Sequence, residues 1–258
     1  MKAIWQFIII LLITAAVLTL YSFSNIEIKA GDFELKKSKL RIFIIGDTTP
    51  VDAKIAIKIT HEKPKTDSSK QRILLIGDSM LEQLRWRARD YAQQNGHDLK
   101  TVMWYSSQSM WYGKYDTLKY FINDYKPTYI ILVLGANELF VRDIKQKRAK
   151  YVKNIIKQID TIPFIWVGPP NWRDDTGINH LILRYAGRRN YYPSYLITQT
   201  PTFARYGDGA HPKPKAAANW MDSVAVWIMD KSRFPILLNL PDKKYKGSTN
   251  TTILQPLK

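Results

Sequence analysis

From residue 72 onward the chain alternates short apolar runs with longer stretches of helical spacing. Residues 73–76 (ILLI), 101–105, 129–134 and 164–167 are apolar at nearly every position, the pattern of strands covered on both faces. Residues 195–198 are read as a further strand. Leu81, Leu84, Ala88, Tyr91 and Ala92 recur at helical spacing until Asn95-Gly96 ends the run. Helices are also predicted at about 116–125, 143–160 and 214–229, the last with Pro214 in its first turn, where a missing N–H costs nothing. Alternating β and α elements predict an α/β fold: a central parallel sheet with helices on its two faces.

The ends of the chain follow other patterns. Residues 4–21 carry no charge and are broken only by Gln6, Thr14 and Thr19. That length is long for a signal peptide's apolar region and slightly short for a comfortable span, so an uncleaved signal anchor is predicted, with a cleaved signal peptide as the alternative. Lys2 favours a cytoplasmic N-terminus, which would put the rest of the chain outside the cytoplasmic membrane, in the periplasm or at the cell surface. Residues 40–45 and 53–59 read as strands, and 62–70 as a polar linker. The tail from 231 on, with Pro235, Pro241 and a Lys243-Lys244-Tyr245-Lys246 cluster, reads as a wrapping or loose C-terminus. The expected organisation is therefore 1–24 anchor or signal, 25–70 β-rich accessory segment, 71–230 α/β domain and 231–258 tail.

Composition narrows the chemistry. With 258 residues, 45% of them hydrophobic, the chain can bury a full core. It has no cysteine, which removes disulfide scaffolds, thiol nucleophiles and cysteine-held zinc. The net charge of +17 is spread as +4 over residues 1–70, +8 over 71–230 and +5 over 231–258, so it favours anionic neighbours without marking a nucleic-acid-binding arm. Neither a phosphate-binding nor a dinucleotide-binding glycine motif is present, and neither cofactor nor metal is expected.

Three polar clusters fall at the ends of apolar runs. Gly77-Asp78-Ser79-Met80 follows the first strand and opens a helix, where a serine can be a plain cap or a nucleophile whose own N–H stabilises an oxyanion. Gly135-Ala136-Asn137-Glu138 follows the run 129–134; an asparagine amide there is a suitable oxyanion donor, and Gly135 permits a tight approach. Asp208-Gly209-Ala210-His211 precedes the last helix and could supply an imidazole base together with the carboxylate that orients it. Ligands of open α/β sheets sit at the carboxyl ends of the strands, where these clusters converge. A near-copy of the first cluster, Gly46-Asp47-Thr48, leads to Thr49-Pro50 rather than to a helix and is set aside.

These blocks resemble the SGNH/GDSL hydrolases over about residues 71–230: Gly77-Asp78-Ser79 with Met80 where Leu is usual, Gly135-Ala136-Asn137 with Glu138 for Asp, and Asp208 with His211. The resemblance implies a flavodoxin-like three-layer α/β/α sandwich and a Ser79-His211-Asp208 triad. It also implies an oxyanion hole of the Ser79 N–H, Asn137 and Gly135, with a third donor at Ser107 or Gln108. Asp78, Trp111 and Asn171 are expected to border the substrate. The activity so implied is ester hydrolysis; O-acetyl groups of a cell-envelope glycan are the expected substrate, and the apolar run 4–21 separately predicts membrane attachment through the N-terminal helix. Acyl transfer to a surface polysaccharide or peptidoglycan by the same triad is the nearest alternative. A non-catalytic glycan-binding envelope protein is the alternative of another class. The basic side chains Arg142, Lys145, Lys147, Arg148, Lys150, Lys153 and Lys157 read as a solvated helix face.

Overall fold

The computed structural model of the protein describes residues 2–23, 29–30, 33–34, 64–200 and 202–257. The chain divides into two units, residues 1–60 and 61–258. The strands expected at 40–45 and 53–59, and Thr48, lie outside the described residues.

In the first unit, helix α1 (Lys2–Phe23) is followed by β1 (Lys29–Ala30) and β2 (Phe33–Glu34), paired antiparallel with Lys29 opposite Glu34. Large apolar side chains of α1, among them Trp5, Phe7 and Ile10, are exposed. Thr14 and Thr19 turn their hydroxyls back to the carbonyls of Ile10 (2.9 Å) and Ala15 (2.8 Å). The polar positions Gln6, Thr14 and Thr19 interrupt the apolar surface, and among the described residues no helix is long and apolar enough to cross a membrane. The transmembrane anchor expected at 1–24 is thus not supported.

The second unit is the α/β sandwich expected. Its elements are β3 (Arg72–Gly77), α2 (Leu81–Gln94), β4 (Asp98–Trp104), α3 (Ser109–Lys114), α4 (Thr117–Tyr125), β5 (Tyr129–Val133), α5 (Ile144–Ile159), β6 (Phe164–Val167), α6 (Ile178–Ala186), β7 (Tyr191–Tyr192), α7 (Pro214–Lys231) and β8 (Thr251–Leu254). The strands form one sheet in the order β7-β6-β5-β3-β4-β8, parallel throughout. Leaving β8 aside, this is the doubly wound order whose chain direction switches between β3 and β5, opening a crevice at their carboxyl ends.

Because both faces are covered, strand residues alternate between two cores rather than between core and water. Ile73, Leu75, Ile131, Val133, Ile165 and Val167 pack with Leu81, Leu84, Trp220 and Val224 of α2 and α7. Leu74, Ile76, Ile130, Leu132 and Trp166 pack with Leu118, Val152, Ile155 and Ile182 on the other side.

The structure departs from expectation in local elements. Residues 195–198 belong to a short 3-10 helix, Ser194–Gln199, and the strand lies earlier, at Tyr191–Tyr192. There Ser194 accepts the indole N–H of Trp220 (3.0 Å), a tertiary contact that outweighs the β propensity of Tyr-Leu-Ile-Thr. Helix α6 is additional; the Asp175 carboxylate caps it by accepting the N–H groups of Gly177, Ile178 and Asn179. The tail contributes β8 as a parallel edge strand on β4, and Trp104 donates its indole N–H to Gln255 O (2.8 Å). Arg89 fixes the same tail through the carbonyls of Tyr245 and Gly247.

Candidate active site

Ser79 lies two residues beyond β3, just before α2. The strand ends at Gly77, where nothing larger fits: a Cβ there would stand 1.8 Å from Val133 O on β5. Asp78 then turns fully inward. One carboxylate oxygen accepts the Met80 N–H (3.0 Å), and the other accepts the N–H groups of Gly135 (3.3 Å) and Ala136 (3.2 Å). The turns that carry Ser79 and Asn137 are therefore tied together by one side chain. Burial pushes the Asp78 carboxyl up to about 6, against the lowering effect of the three N–H donors. Asp78 has no exposed surface. The substrate contact expected of it is not what the structure shows, because its oxygens are spent on the backbone.

The base comes from a different loop. The Ser79 hydroxyl donates to His211 Nε2 over 2.8 Å, and His211 Nδ1–H donates to Asp208 Oδ2 over 2.6 Å. The second Asp208 oxygen accepts the N–H groups of Ala210 (2.9 Å) and His211 (3.0 Å). These bonds, the imidazole's first among them, hold the Asp208 carboxyl down at about 2. An acceptor that stays charged fixes the imidazole tautomer with its proton on Nδ1, leaving Nε2 free to take the serine proton.

Around Ser79 the donors divide into engaged and open ones. Among the described residues the Ser79 N–H meets no acceptor, and it sits at the N-terminal end of a helix of 14 residues. Asn137 donates one amide hydrogen to Ser107 O (3.0 Å), which leaves the other open. Gly135 takes up φ 127°, a region that favours glycine, but its N–H is committed to Asp78. Gly135 thus shapes the turn that carries Asn137. Of the two positions considered for a third donor, the Ser107 N–H closes a turn onto Trp104 O (3.2 Å), whereas the Gln108 N–H has no acceptor among the described residues.

The other expected contacts make bonds of their own. The Trp111 ring packs 5.1 Å from that of Trp104, which meets Tyr112 edge-on at 5.2 Å. Asn171 spends its side-chain oxygen on Asn179 (3.0 Å) and its backbone carbonyl on Arg205 (2.9 Å).

Three further residues support the site, and the sequence pattern assigns none of them that role. Glu138 is completely buried and accepts Ser109 N–H (2.8 Å), the Ser109 hydroxyl (2.7 Å) and Arg148 Nε–H (2.6 Å). Burial raises its carboxyl above the ordinary carboxylate range, opposed by Ser109 and Arg148. Arg148 also donates to the Gln108 side chain (2.9 Å), so it turns inward, away from the solvated face expected for this helix. Glu138 closes the cluster Gly135-Ala136-Asn137-Glu138, and an acidic residue in the turn after an apolar strand was the available signal. Arg205 holds the carbonyls of Pro170 (3.1 Å), Asn171 and Ala210, and thereby joins the loop after β6 to the loop of His211. Among the described residues no group of acidic or histidine side chains could hold a metal ion.

No protein-family model matches this chain, and no curated protein sequence matches it. Solved structures do resemble it. The psychrotrophic esterase EstA from Pseudoalteromonas sp. superposes with a TM-score of 0.47 at 18% identity, over 61% of this chain and 98% of that one. The family 3 carbohydrate esterase of Clostridium thermocellum gives 0.42 at 13% identity, over 62% and 98%. A two-domain esterase active on acetylated mannans gives 0.46 at 13%, over 69% of this chain and 54% of that one.

Proposed function

We propose that this chain is a serine carboxylic-ester hydrolase of the SGNH/GDSL type. The observation that carries the reading is the hydrogen-bonded series Ser79 Oγ to His211 Nε2 (2.8 Å) and His211 Nδ1 to Asp208 Oδ2 (2.6 Å). In this mechanism Ser79 Oγ attacks the ester carbonyl while its proton passes to His211 Nε2. The oxyanion is held by the Ser79 N–H and the open hydrogen of the Asn137 amide, with the Gln108 N–H as the candidate third donor. His211 returns the proton to the leaving alkoxide, so that an alcohol departs and an acyl-serine remains. A water then gives its proton to His211 and attacks the acyl group, and the carboxylic acid leaves as Ser79 recovers its hydrogen. Asp208 keeps its negative charge throughout and stabilises the imidazolium.

The preferred substrate in this reading is a short acyl ester, specifically an O-acetyl group on a cell-envelope glycan. Exposed aromatic surface beside the Asn137 turn, from Phe140 and the half-buried Trp172, supports a sugar-bearing alcohol portion. The test is hydrolysis of 4-nitrophenyl esters from acetate to octanoate, followed by acetate release from acetylated glycans. Highest kcat/KM on acetate, lost in Ser79→Ala, is expected. An acetylated acceptor sugar accumulating in place of free acetate would establish transfer instead.

A further inference from the structure

Beside the Asn137 turn lies a feature that the esterase mechanism leaves unused. The rings of Phe140 and Trp172 meet edge to face, 6.2 Å between centroids at 71°, and the Arg173 guanidinium lies 5.6 Å from the first and 5.0 Å from the second. Phe140 is 49% exposed, and Arg173 is exposed as well. Among the described residues Arg173 is in no ion pair; neighbouring Asp174 is exposed and makes none with it, and Asp175 is spent on capping α6. An arginine stacked on aromatic faces keeps its planar fork of donors directed outward and loses little freedom when it binds an anion.

The position of the cluster is fixed to both parts of the candidate site. Trp172 donates its indole N–H to Ala136 O (2.9 Å), one residue before Asn137. Thr176 bonds back to Leu139 O (2.8 Å) and Val141 O (2.7 Å), which clasps the two segments that carry the rings. From the other side, Arg205 joins Asn171 O to Ala210 O, next to His211. The cluster is thereby tied to the turn of Asn137 on one side and, through Asn171 and Arg205, to the loop of His211 on the other.

We propose that Phe140, Trp172 and Arg173 form a subsite for an acidic sugar unit, the ring lying against the aromatic surface and its carboxylate or phosphate held by Arg173. This rests on the esterase reading for its place in the reaction and names the alcohol side of the substrate as an anionic glycan. The net charge of +17 attracts such a polymer from a distance, whereas Arg173 selects the unit bound next to the ester.

The test separates binding from turnover. Tryptophan fluorescence of the full chain is titrated with an oligogalacturonate, a phosphorylated mannooligosaccharide and a neutral mannooligosaccharide. At least one acidic ligand is expected to bind about ten-fold tighter than the neutral one, and the arms tell carboxylate from phosphate. Arg173→Ala should erase that preference, Arg173→Lys should keep part of it, and Lys150→Ala on the remote face of α5 should keep all of it. Equal binding of acidic and neutral ligands, or a preference that survives Arg173→Ala, would overturn the proposal. In turnover, the ratio of kcat/KM on acetylated polygalacturonate to that on 4-nitrophenyl acetate should fall about ten-fold in Arg173→Ala if carboxylate is the preferred anion. A wild type that hydrolyses neither ester would end the esterase reading, while the titration would still decide the subsite.

Discussion

Ser79 and Asn137 stand just beyond the ends of β3 and β5, where two fully buried carboxylates, Asp78 and Glu138, bind the neighbouring backbone into one block. Asp208 and His211 stand on a turn whose side chains are 48% and 30% exposed, and which is secured by Arg205 and by a backbone bond from Tyr206 N–H to His211 O (2.9 Å). The difference follows from what each part must do. A nucleophile and its oxyanion donors have to hold fixed positions to a fraction of an ångström, which buried hydrogen-bonded strand ends provide. A base must exchange protons with water while its carboxylate holds it in orientation, for which a hydrogen-bonded exposed turn suffices. Mutations in the two regions should therefore separate activity from stability.

The largest expected effect is in the exposed half. Asp208→Asn places an amide against Nδ1 and favours the tautomer with hydrogen on Nε2, which cannot accept the serine proton; kcat on 4-nitrophenyl acetate should fall about 10³- to 10⁴-fold. The urea midpoint should stay close to wild type. A large loss of stability would mean that this turn, too, is part of the framework.

In the buried half the order reverses. Glu138→Gln leaves the Arg148 guanidinium, 12% exposed, without its counter-charge, at a cost of about 3–5 kcal/mol in urea unfolding. Replacing both residues as Glu138→Gln with Arg148→Met should recover part of that loss. A single variant as stable as wild type would show that the pair does not hold the Ser109 turn.

A smaller effect sharpens the same contrast through pH. The Asp78 carboxyl is raised from 3.8 to about 6, so between those values the folded chain holds its proton more tightly than the unfolded chain. Its contribution to stability is therefore present at low pH and is lost as pH rises through that window. Between about pH 4.5 and about pH 6 the wild type should lose ~1.5 kcal/mol that an Asp78→Asn variant does not lose. Asp208, held at about 2, has no part in that interval. Equal slopes for the two proteins would contradict the burial of an ionised Asp78.

Much of this arrangement was legible along the chain. Strands β3, β5 and β6 stand out because burial on both faces leaves apolar runs, and the clusters at Ser79, Asn137 and Asp208 stand out because polar residues interrupt that pattern at strand ends. What stayed hidden depends on distance in sequence. β8 is four residues of tail with no local sign that β4 offers an open edge. The inward turn of Arg148 depends on a carboxylate ten residues away in sequence, on another element. The bond between Asp78 and the Gly135 turn is not legible along the chain, because sequence shows which residues converge, not which of them spend their polar groups on each other.

The central claim is an activated Ser79, and covalent labelling of the full chain by a fluorophosphonate, with the adduct located by mass spectrometry, tests it most directly. A single adduct on Ser79, absent in Ser79→Ala and strongly slowed in His211→Ala, is the predicted result. A folded wild type that takes no label, or a label that persists in Ser79→Ala, would contradict it.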